Sequence, residues 1–130
     1  MNARFFRFIA AVLVALAASA CGGIANPSSN QTETFTGIVQ PGGAAGRHPF
    51  TVSKSGEITV TVTNMNPTWN GYLSVAWLGA GCSGLFQRND FALVGRAAIS
   101  GPVTKGSYCI AVFDSGFLLP EAYTITVSHP

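Results

Sequence analysis

The stretch "GEITVTVTN", residues 56–64, alternates apolar and polar side chains with a period of two. In an extended chain, Ile58, Val60 and Val62 lie on one face, and the threonines between them lie on the other. This alternation is typical of a strand that packs one face against a core and leaves the other in solvent. The stretch therefore predicts a half-buried β-strand.

The same alternation recurs in three later segments, "GYLSVAWL" (71–78), "GSYCIAVFD" (106–114) and "YTITVSHP" (123–130). Clusters rich in Gly, Pro and Asn separate these segments, and no helical stripe of useful length follows residue 21. Short strands at this spacing predict an all-β fold, either an antiparallel sandwich or a barrel. The predicted core consists of Val60, Val62, Val75, Tyr108, Ile110, Val112, Tyr123, Ile125 and Val127. Trp77 shares the inward phase of its strand and is expected in the same core.

The order of the strands resembles that of the bacterial pre-peptidase C-terminal domain. The resemblance rests on Gly56 before "ITVTV", on "KGSYCIAV" (105–112) and on the closing "YTITV" (123–127), and it covers residues 35–130. It implies a small jelly-roll-like β-sandwich, of a kind found on secreted peptidases and other exported proteins. The acidic Asp-Leu-Asp-Leu pattern often seen at the family's middle strand is replaced by "GYLSV" (71–75), so the resemblance implies no calcium site there.

The first 20 residues are organised like an export signal. Arg4 and Arg7 give a positive start, residues 8–18 are apolar, and "ASA" (18–20) is the small-residue site that a signal peptidase needs. The uncharged stretch at residues 8–20 is too short for a membrane-spanning helix, which needs about 20 residues. Residues 1–20 are therefore predicted to be a signal peptide.

Cys21 is the predicted first residue of the mature protein. "ASAC" (18–21) resembles the lipobox of bacterial lipoproteins, in which the cysteine receives lipid, although Ala18 stands where leucine is usual. Residues 22–34 are rich in Gly, Ser, Asn, Pro and Thr, a composition that predicts a flexible tether. The predicted organisation is a signal peptide (1–20), a lipidated cysteine with its tether (21–34) and a β-sandwich domain (35–130). Ordinary secretion with a free Cys21 thiol is the alternative.

The chain has three cysteines, and thiols in exported proteins tend to pair. If Cys21 carries lipid, Cys82 and Cys109 remain to form one disulfide. Cys109 points away from the inward phase of its strand, and Cys82 lies in a glycine-rich loop that can fold over that outer face. A structural disulfide between them is predicted.

Charge restricts the expected partners. The formal net charge of +2 comes from Arg4 and Arg7, and the rest of the chain carries five basic and five acidic side chains. No basic surface for nucleic acid is therefore expected. The expected partners are the membrane, through the N-terminal lipid, and a glycan or an envelope protein. The expected location is the bacterial cell envelope, at the outer membrane in a Gram-negative host, with a secreted or periplasmic protein as the alternative.

Catalytic and metal-binding motifs are weak. Gly79, Gly81 and Gly84 fit G-x-G-x-x-G after a strand, but no helix follows, so they are predicted to form a turn rather than a nucleotide site. The chain has no G-x-S-x-G motif, so no catalytic residue is nominated and the protein is predicted not to be an enzyme.

No metal ligand set or cofactor is predicted. The only two histidines, His48 and His129, are far apart in sequence, and the cysteines lack C-x-x-C spacing. Calcium held by Asp90 and Asp114 together with carbonyl groups is the alternative. A cap on the turn after its own strand is the role expected of Asp114.

Two clusters are candidate binding surfaces. Trp69, Asn70 and Tyr72 combine flat rings with an amide, as sugar-binding faces do, although Trp69 can instead fold over the end of the core. Phe117, Leu118 and Leu119 form an apolar loop that can contact a partner or pack under the rim of the sandwich.

The predicted function is a non-catalytic, lipid-anchored β-sandwich that binds or presents a ligand at the cell envelope, the ligand being a carbohydrate or a protein. Two alternatives remain open, a secreted enzyme and a purely structural or adhesive envelope component.

Overall fold

The computed structural model describes residues 29–67, 72–116 and 119–130. Most of these residues lie in β-strands, and none lies in an α-helix. The strands are β1 (Gln31–Val39), β2 (Gly46–Val52), β3 (Gly56–Asn66), β4 (Leu73–Gly79), β5 (Ser83–Ala92), β6 (Ala97–Val103), β7 (Gly106–Phe113) and β8 (Glu121–His129). A short 3-10 helix at Ala80–Cys82 joins β4 to β5. Within the same three ranges, no helix has the length and apolarity needed to span a bilayer.

The strands form two four-stranded sheets that share one core. Their strand orders are β1-β8-β3-β6 and β2-β7-β4-β5, and neighbouring strands pair antiparallel. The layers meet so that β1 lies beside β2 at one edge and β5 lies beside β6 at the other. The predicted antiparallel β-sandwich is therefore confirmed.

The core contains the inward side chains that the alternation predicted. Ile58, Val60 and Val62 of β3 are fully buried, and Trp77 of β4 is also buried. The nine predicted core residues all belong to this cluster, with Tyr108 packed against it as a partly buried member. Burial of these apolar side chains is the main favourable contribution to folding.

The first strand, β1, begins at Gln31, before the predicted start of the sandwich domain at residue 35. Residues 31–34, predicted as the end of the tether, are instead the start of β1 and pair with the last residues of β8. Glu33 stabilises this pairing, because its Oε1 lies 2.8 Å from Nε2 of the buried His129. Polar composition was misleading here, since a strand at the edge of a sheet can expose most of its side chains. The earlier part of the tether and the signal peptide lie outside the described residues.

Besides β1, three strands were not singled out by alternation. β2 begins inside "QPGGAAGRHP" (40–49), a stretch rich in Gly and Pro. β5 exposes both of its faces, and irregular register against β4 breaks its period of two. β6 contains Gly101 and Pro102, two residues that are unfavourable in strands.

Side chains fill the edge at which β1 meets β2. The Tyr123 hydroxyl lies 2.7 Å from Nε2 of His48, and the His48 ring stacks on Phe35 with centroids 5.1 Å apart. Burial raises the pKa of Tyr123 to about 12 and lowers the pKa of His48. A Cβ atom at Gly37 or Gly46 would overlap the Tyr123 hydroxyl, so glycine is needed at both positions.

The predicted disulfide between Cys82 and Cys109 is present, with Cα atoms 5.1 Å apart. Cys109 has the outward phase of β7 but is fully buried, since the turn that carries Cys82 packs against β7. The bond closes a loop with a sequence separation of 27 residues. In the chain-entropy model a ring of this size stabilises the fold by roughly 3–4 kcal/mol. The disulfide also fixes the β4–β5 hairpin against β7.

Candidate ligand-binding groove

The predicted sugar-binding cluster is only partly described. Trp69 and Asn70 lie outside the described residues, so their placement beside Tyr72 is untested. Tyr72 itself is partly buried, and its ring lies 5.3 Å from that of Phe91 at an interplanar angle of 56°. The cluster therefore remains a prediction.

The predicted apolar contact loop is also only partly described. Phe117 and Leu118 lie outside the described residues, whereas Leu119 is 54% exposed. Cys21 also lies outside, so its lipidation stays a prediction from the sequence.

The two aspartates considered for calcium have other partners. Oδ1 of Asp90 accepts hydrogen bonds from Ser74 and from Arg88, both at 2.6 Å, and these bonds lower the pKa of Asp90. Asp114 accepts the backbone N–H of Gly116 at 3.0 Å and so caps the turn after β7, as predicted. Across the described ranges, no three His, Cys, Asp or Glu side chains gather closely enough to hold a metal ion.

The G-x-G-x-x-G stretch forms a turn between two antiparallel strands, as predicted. Gly81 and Gly84 both have φ of +68°, a left-handed conformation that glycine adopts without strain. β5 follows directly, so the helix that a dinucleotide site requires is not there. The segment serves to carry Cys82 to its disulfide partner.

The edge at which β5 meets β6 is only partly closed. The Asn89 side-chain amide donates to the Ala98 carbonyl at 2.9 Å and joins the two sheets at one point. Beside this contact, the layers leave a groove of about 420 Å³. We call it the aromatic groove, and its lining consists of Trp77, Phe86, Gln87, Tyr108 and residues 100–104. Its volume lies within the range of about 300–1,000 Å³ that is typical of small-ligand sites.

Gly101 leaves space at this edge. β6 directs Ile99 and Val103 into the core, and Gly101 has the same inward phase because it pairs with the buried Ile58 of β3. A Cβ atom at Gly101 would meet no other atom within 4 Å. The core therefore lacks one side chain here, and the unfilled space belongs to the groove.

Three aromatic rings form one wall of the groove. The ring centroids of Trp77 and Phe86 lie 5.1 Å apart, those of Trp77 and Tyr108 5.6 Å, and those of Phe86 and Tyr108 5.8 Å. The Phe86 side is open to solvent, with 61% of that residue exposed. The Tyr108 hydroxyl donates to the Thr104 carbonyl at 2.9 Å, which fixes the ring at the groove. The wall is thus a continuous aromatic surface.

Trp77 has an unmet hydrogen bond. Its Nε1 is buried and has no partner among the residues that the structure describes, although a buried tryptophan N–H usually finds one. Leaving such a donor unsatisfied costs about 1–3 kcal/mol. Trp77 lines the groove, but its Nε1 is covered, so an acceptor atom on a bound molecule could reach it only after a neighbouring group moves.

The lining of the groove is uncharged. Among the residues that the structure describes, it carries no carboxylate, imidazole, thiol or amine, and its polar side chains are the Gln87 amide and the hydroxyls of Ser100, Thr104 and Tyr108. Such a lining offers apolar contact and neutral hydrogen bonds. It does not offer a base that could activate one of the hydroxyls.

Sequence reasoning placed Trp77 and Tyr108 in the core but did not predict the groove. Phe86 lies on β5 at a register shift. Trp77 pairs with Gln87, and the next residue of β4, Leu78, pairs with Leu85, so Phe86 is an extra residue between the two pairs. Gly101 could have been found, because in "AAISGPV" it shares the phase of Ile99 and Val103. A glycine in an inward phase is a signal for a missing core side chain.

Comparison with known proteins supports the fold and leaves the function open. No protein-family model matches the sequence, and no curated protein matches it. The structure is similar to the pre-peptidase C-terminal domain of a collagenase from Bacillus anthracis, with a TM-score of 0.50, 15% identity, and coverage of 74% of this chain and 86% of that one. It also matches a mitogen derived from Yersinia pseudotuberculosis, with a TM-score of 0.49, 15% identity, and coverage of 77% and 86%. The first match agrees with the β-sandwich that the sequence resemblance implied.

Proposed function

We propose that this protein is a lipid-anchored, non-catalytic binding module of the bacterial cell envelope, and that it holds its ligand in the aromatic groove. The observation that carries the proposal is the opening at the β5–β6 edge of the sandwich. At Gly101 the core omits a side chain, and an aromatic wall lines the resulting space. Exposed apolar surface of this kind is unfavourable in water unless another molecule covers it.

The chemistry of the described residues favours binding over catalysis. The groove lining has no acid or base, and His48 is engaged by Tyr123 at the opposite edge of the sandwich. His129 is buried and contacts Glu33. Neither histidine is therefore arranged to activate a hydroxyl in the groove. A secreted enzyme is the less favoured alternative on these grounds.

The proposed anchor rests on the sequence. The "ASAC" stretch ends an export-like segment, and lipid on Cys21 leaves an even number of cysteines, which matches the observed Cys82–Cys109 disulfide. β1 begins at Gln31, so a short segment would separate the lipid from the sandwich. The aromatic groove would then be presented close to the membrane surface.

The anchor is tested by mass spectrometry and fractionation of the protein expressed in a bacterial host. We expect an N-terminus at Cys21 that carries diacylglycerol, and recovery in the membrane fraction. A Cys21→Ser variant should lose the lipid and leave the membrane fraction, whereas a Cys82→Ser, Cys109→Ser variant should keep the lipid. An unmodified Cys21 in the wild-type protein would contradict the anchor and favour secretion, without affecting the groove.

A further inference from the structure

We infer that the aromatic groove binds a neutral sugar, with a pyranose ring placed against the aromatic wall and an oxygen of the sugar accepting from Nε1 of Trp77. This inference rests on the proposed function and assigns a ligand class to the same groove. The site differs from the one that the sequence suggested at Trp69 and Asn70.

The charge of the lining selects a neutral ligand. No ionised side chain of the described part of the chain lines the groove, so a charged ligand would lose hydration without gaining an opposite charge. The nearest described ion pair on the same strand, Arg88 with Asp90, is already formed within β5. A charged sugar, nucleotide or phospholipid headgroup is therefore a poor fit.

The shape of the apolar wall selects a flat partner. Phe86 presents an exposed ring, and the buried ring of Trp77 and the partly buried ring of Tyr108 continue this wall into the groove. One face of a pyranose ring carries C–H groups that pack well on such surfaces. An acyl chain would find little of the aliphatic lining that it prefers, because Val103 is the one branched aliphatic residue of the lining.

The polar groups of the groove match hydroxyl chemistry. The Gln87 amide and the Ser100 hydroxyl can each donate and accept, as sugar hydroxyl groups also do. Nε1 of Trp77 can only donate, and a hydroxyl or ring oxygen can accept from it. The Nε1 atom is covered in this structure, so a small displacement of a neighbour is required.

The strand edges argue against an extended peptide. A peptide that adds to a sheet needs a regular row of backbone donors and acceptors. β6 carries Pro102, which has no N–H, and the register of β5 is irregular at three places against β4. Neither edge beside the groove offers a regular row, so recognition by strand addition is disfavoured.

The test follows the two indole N–H signals of the ¹⁵N-labelled full chain by nuclear magnetic resonance, in wild type and in Trp69→Phe, which identifies the signal of Trp77. The probes are short neutral oligosaccharides of glucose, mannose, galactose and N-acetylglucosamine, with sialylated and uronic-acid oligosaccharides and blocked proline-rich peptides for comparison. We expect at least one neutral oligosaccharide to shift the Trp77 signal in a saturable way, and charged sugars and peptides to leave it unchanged.

Two matched pairs of variants locate the binding. Gly101→Val fills the groove, whereas Ala97→Val adds the same side chain type at an exposed position of the same strand. Phe86→Ala removes an exposed ring of the groove, whereas Phe91→Ala removes a ring of β5 outside the groove that is also mostly exposed. Gly101→Val and Phe86→Ala should each weaken binding by about tenfold or more, a change of about 1.4 kcal/mol. The two controls should retain wild-type affinity.

Three results would overturn the inference. If sugar shifts the indole N–H signal of Trp69, and the shift is lost in Phe91→Ala, the site lies at the predicted cluster of Trp69, Asn70 and Tyr72. A Trp77 shift produced only by peptides, and lost in Gly101→Val, would replace the ligand class but leave the proposed binding function of the groove intact. No Trp77 shift with any probe would remove both the sugar and the proposed role of the groove.

Discussion

The two edges of this sandwich use glycine for opposite purposes. At the β1–β2 edge, Gly37 and Gly46 make room for Tyr123, whose hydroxyl contacts His48. At the β5–β6 edge, a Cβ atom at Gly101 would meet nothing, and the space stays open. An inward glycine therefore marks either a close approach by the protein's own side chain or a place left free for another molecule, and only the neighbours distinguish the two.

The two edges also differ in how their polar groups are satisfied. The Tyr123 hydroxyl at the filled edge has a partner at 2.7 Å. At the open edge, Nε1 of Trp77 has none among the described residues. A fold can carry one such unmet bond, but the cost is a sizeable share of the few kcal/mol that keep a small domain folded. The open edge is thus the less optimised part of the sandwich, as expected for a binding site.

Loss of the disulfide should give the largest decrease in stability, and the β5–β6 edge should be the region most affected. We expect the double variant Cys82→Ser, Cys109→Ser to lose roughly 3–4 kcal/mol in free energy of unfolding, because the loop is no longer closed in the unfolded chain. Urea unfolding of the purified exported protein measures this loss. The β4–β5 hairpin should also show faster amide exchange than β1 and β8. A double variant that unfolds at the same urea concentration as the wild type would show that the disulfide contributes nothing to the stability of the fold.

The same substitution at the two edges should have opposite effects. Gly46→Ala should reduce the free energy of unfolding by about 1–3 kcal/mol, because the new methyl group overlaps the Tyr123 hydroxyl. Gly101→Ala should leave it unchanged or raise it by about 0.4–1 kcal/mol, because the methyl group enters free space and the unfolded chain loses freedom. Thermal or urea unfolding of both variants measures the difference. Equal losses would mean that the open edge is as tightly packed as the filled one.

Acid should weaken the two edges in different pH ranges, with a smaller effect. Burial lowers the pKa of His48 from its ordinary value of 6.5, so the folded state resists its protonation and stability falls as the pH drops below 6.5. Hydrogen bonds from Ser74 and Arg88 lower the pKa of Asp90 from its ordinary value of 3.8. Its contribution is therefore present above pH 3.8 and is lost below it.

The two ranges are separated by substitution. His48→Gln should flatten the decline of stability just below pH 6.5, and Asp90→Asn should change the curve only at much lower pH. Chemical unfolding across a pH series measures both. A His48→Gln curve that runs parallel to the wild type would contradict the account of the filled edge.

The fold could be read from the sequence wherever one strand face is buried and the other is solvated. β3 and β8 have that pattern. β4 and β7 bury residues of both faces, but the inward residues of all four strands form the observed core. β5 could not be read this way, because this edge strand exposes both of its faces and its register against β4 is irregular. The start of β1 was missed for a related reason, since composition alone cannot show that polar residues 31–34 pair with β8.

The disulfide was predictable because the number of cysteines and the outward phase of Cys109 both pointed to it. The groove was not predictable. The groove residues come from β4, β5, β6 and β7, which are distant in sequence, and the defining feature of the groove is the absence of a side chain at Gly101. The sequence suggested aromatic residues in a loop as the binding site instead. Tryptophan in a buried phase was taken as core, and Trp77 is both core and groove wall.

A crystal structure of the full chain with a neutral oligosaccharide tests the central claim most directly. The account predicts a sugar ring between the β5 and β6 edges, against Trp77 and Phe86, with a sugar oxygen within hydrogen-bond distance of Trp77 Nε1. A sugar bound instead beside Tyr72 and Phe91, or a groove that stays empty under saturating oligosaccharide, would contradict it.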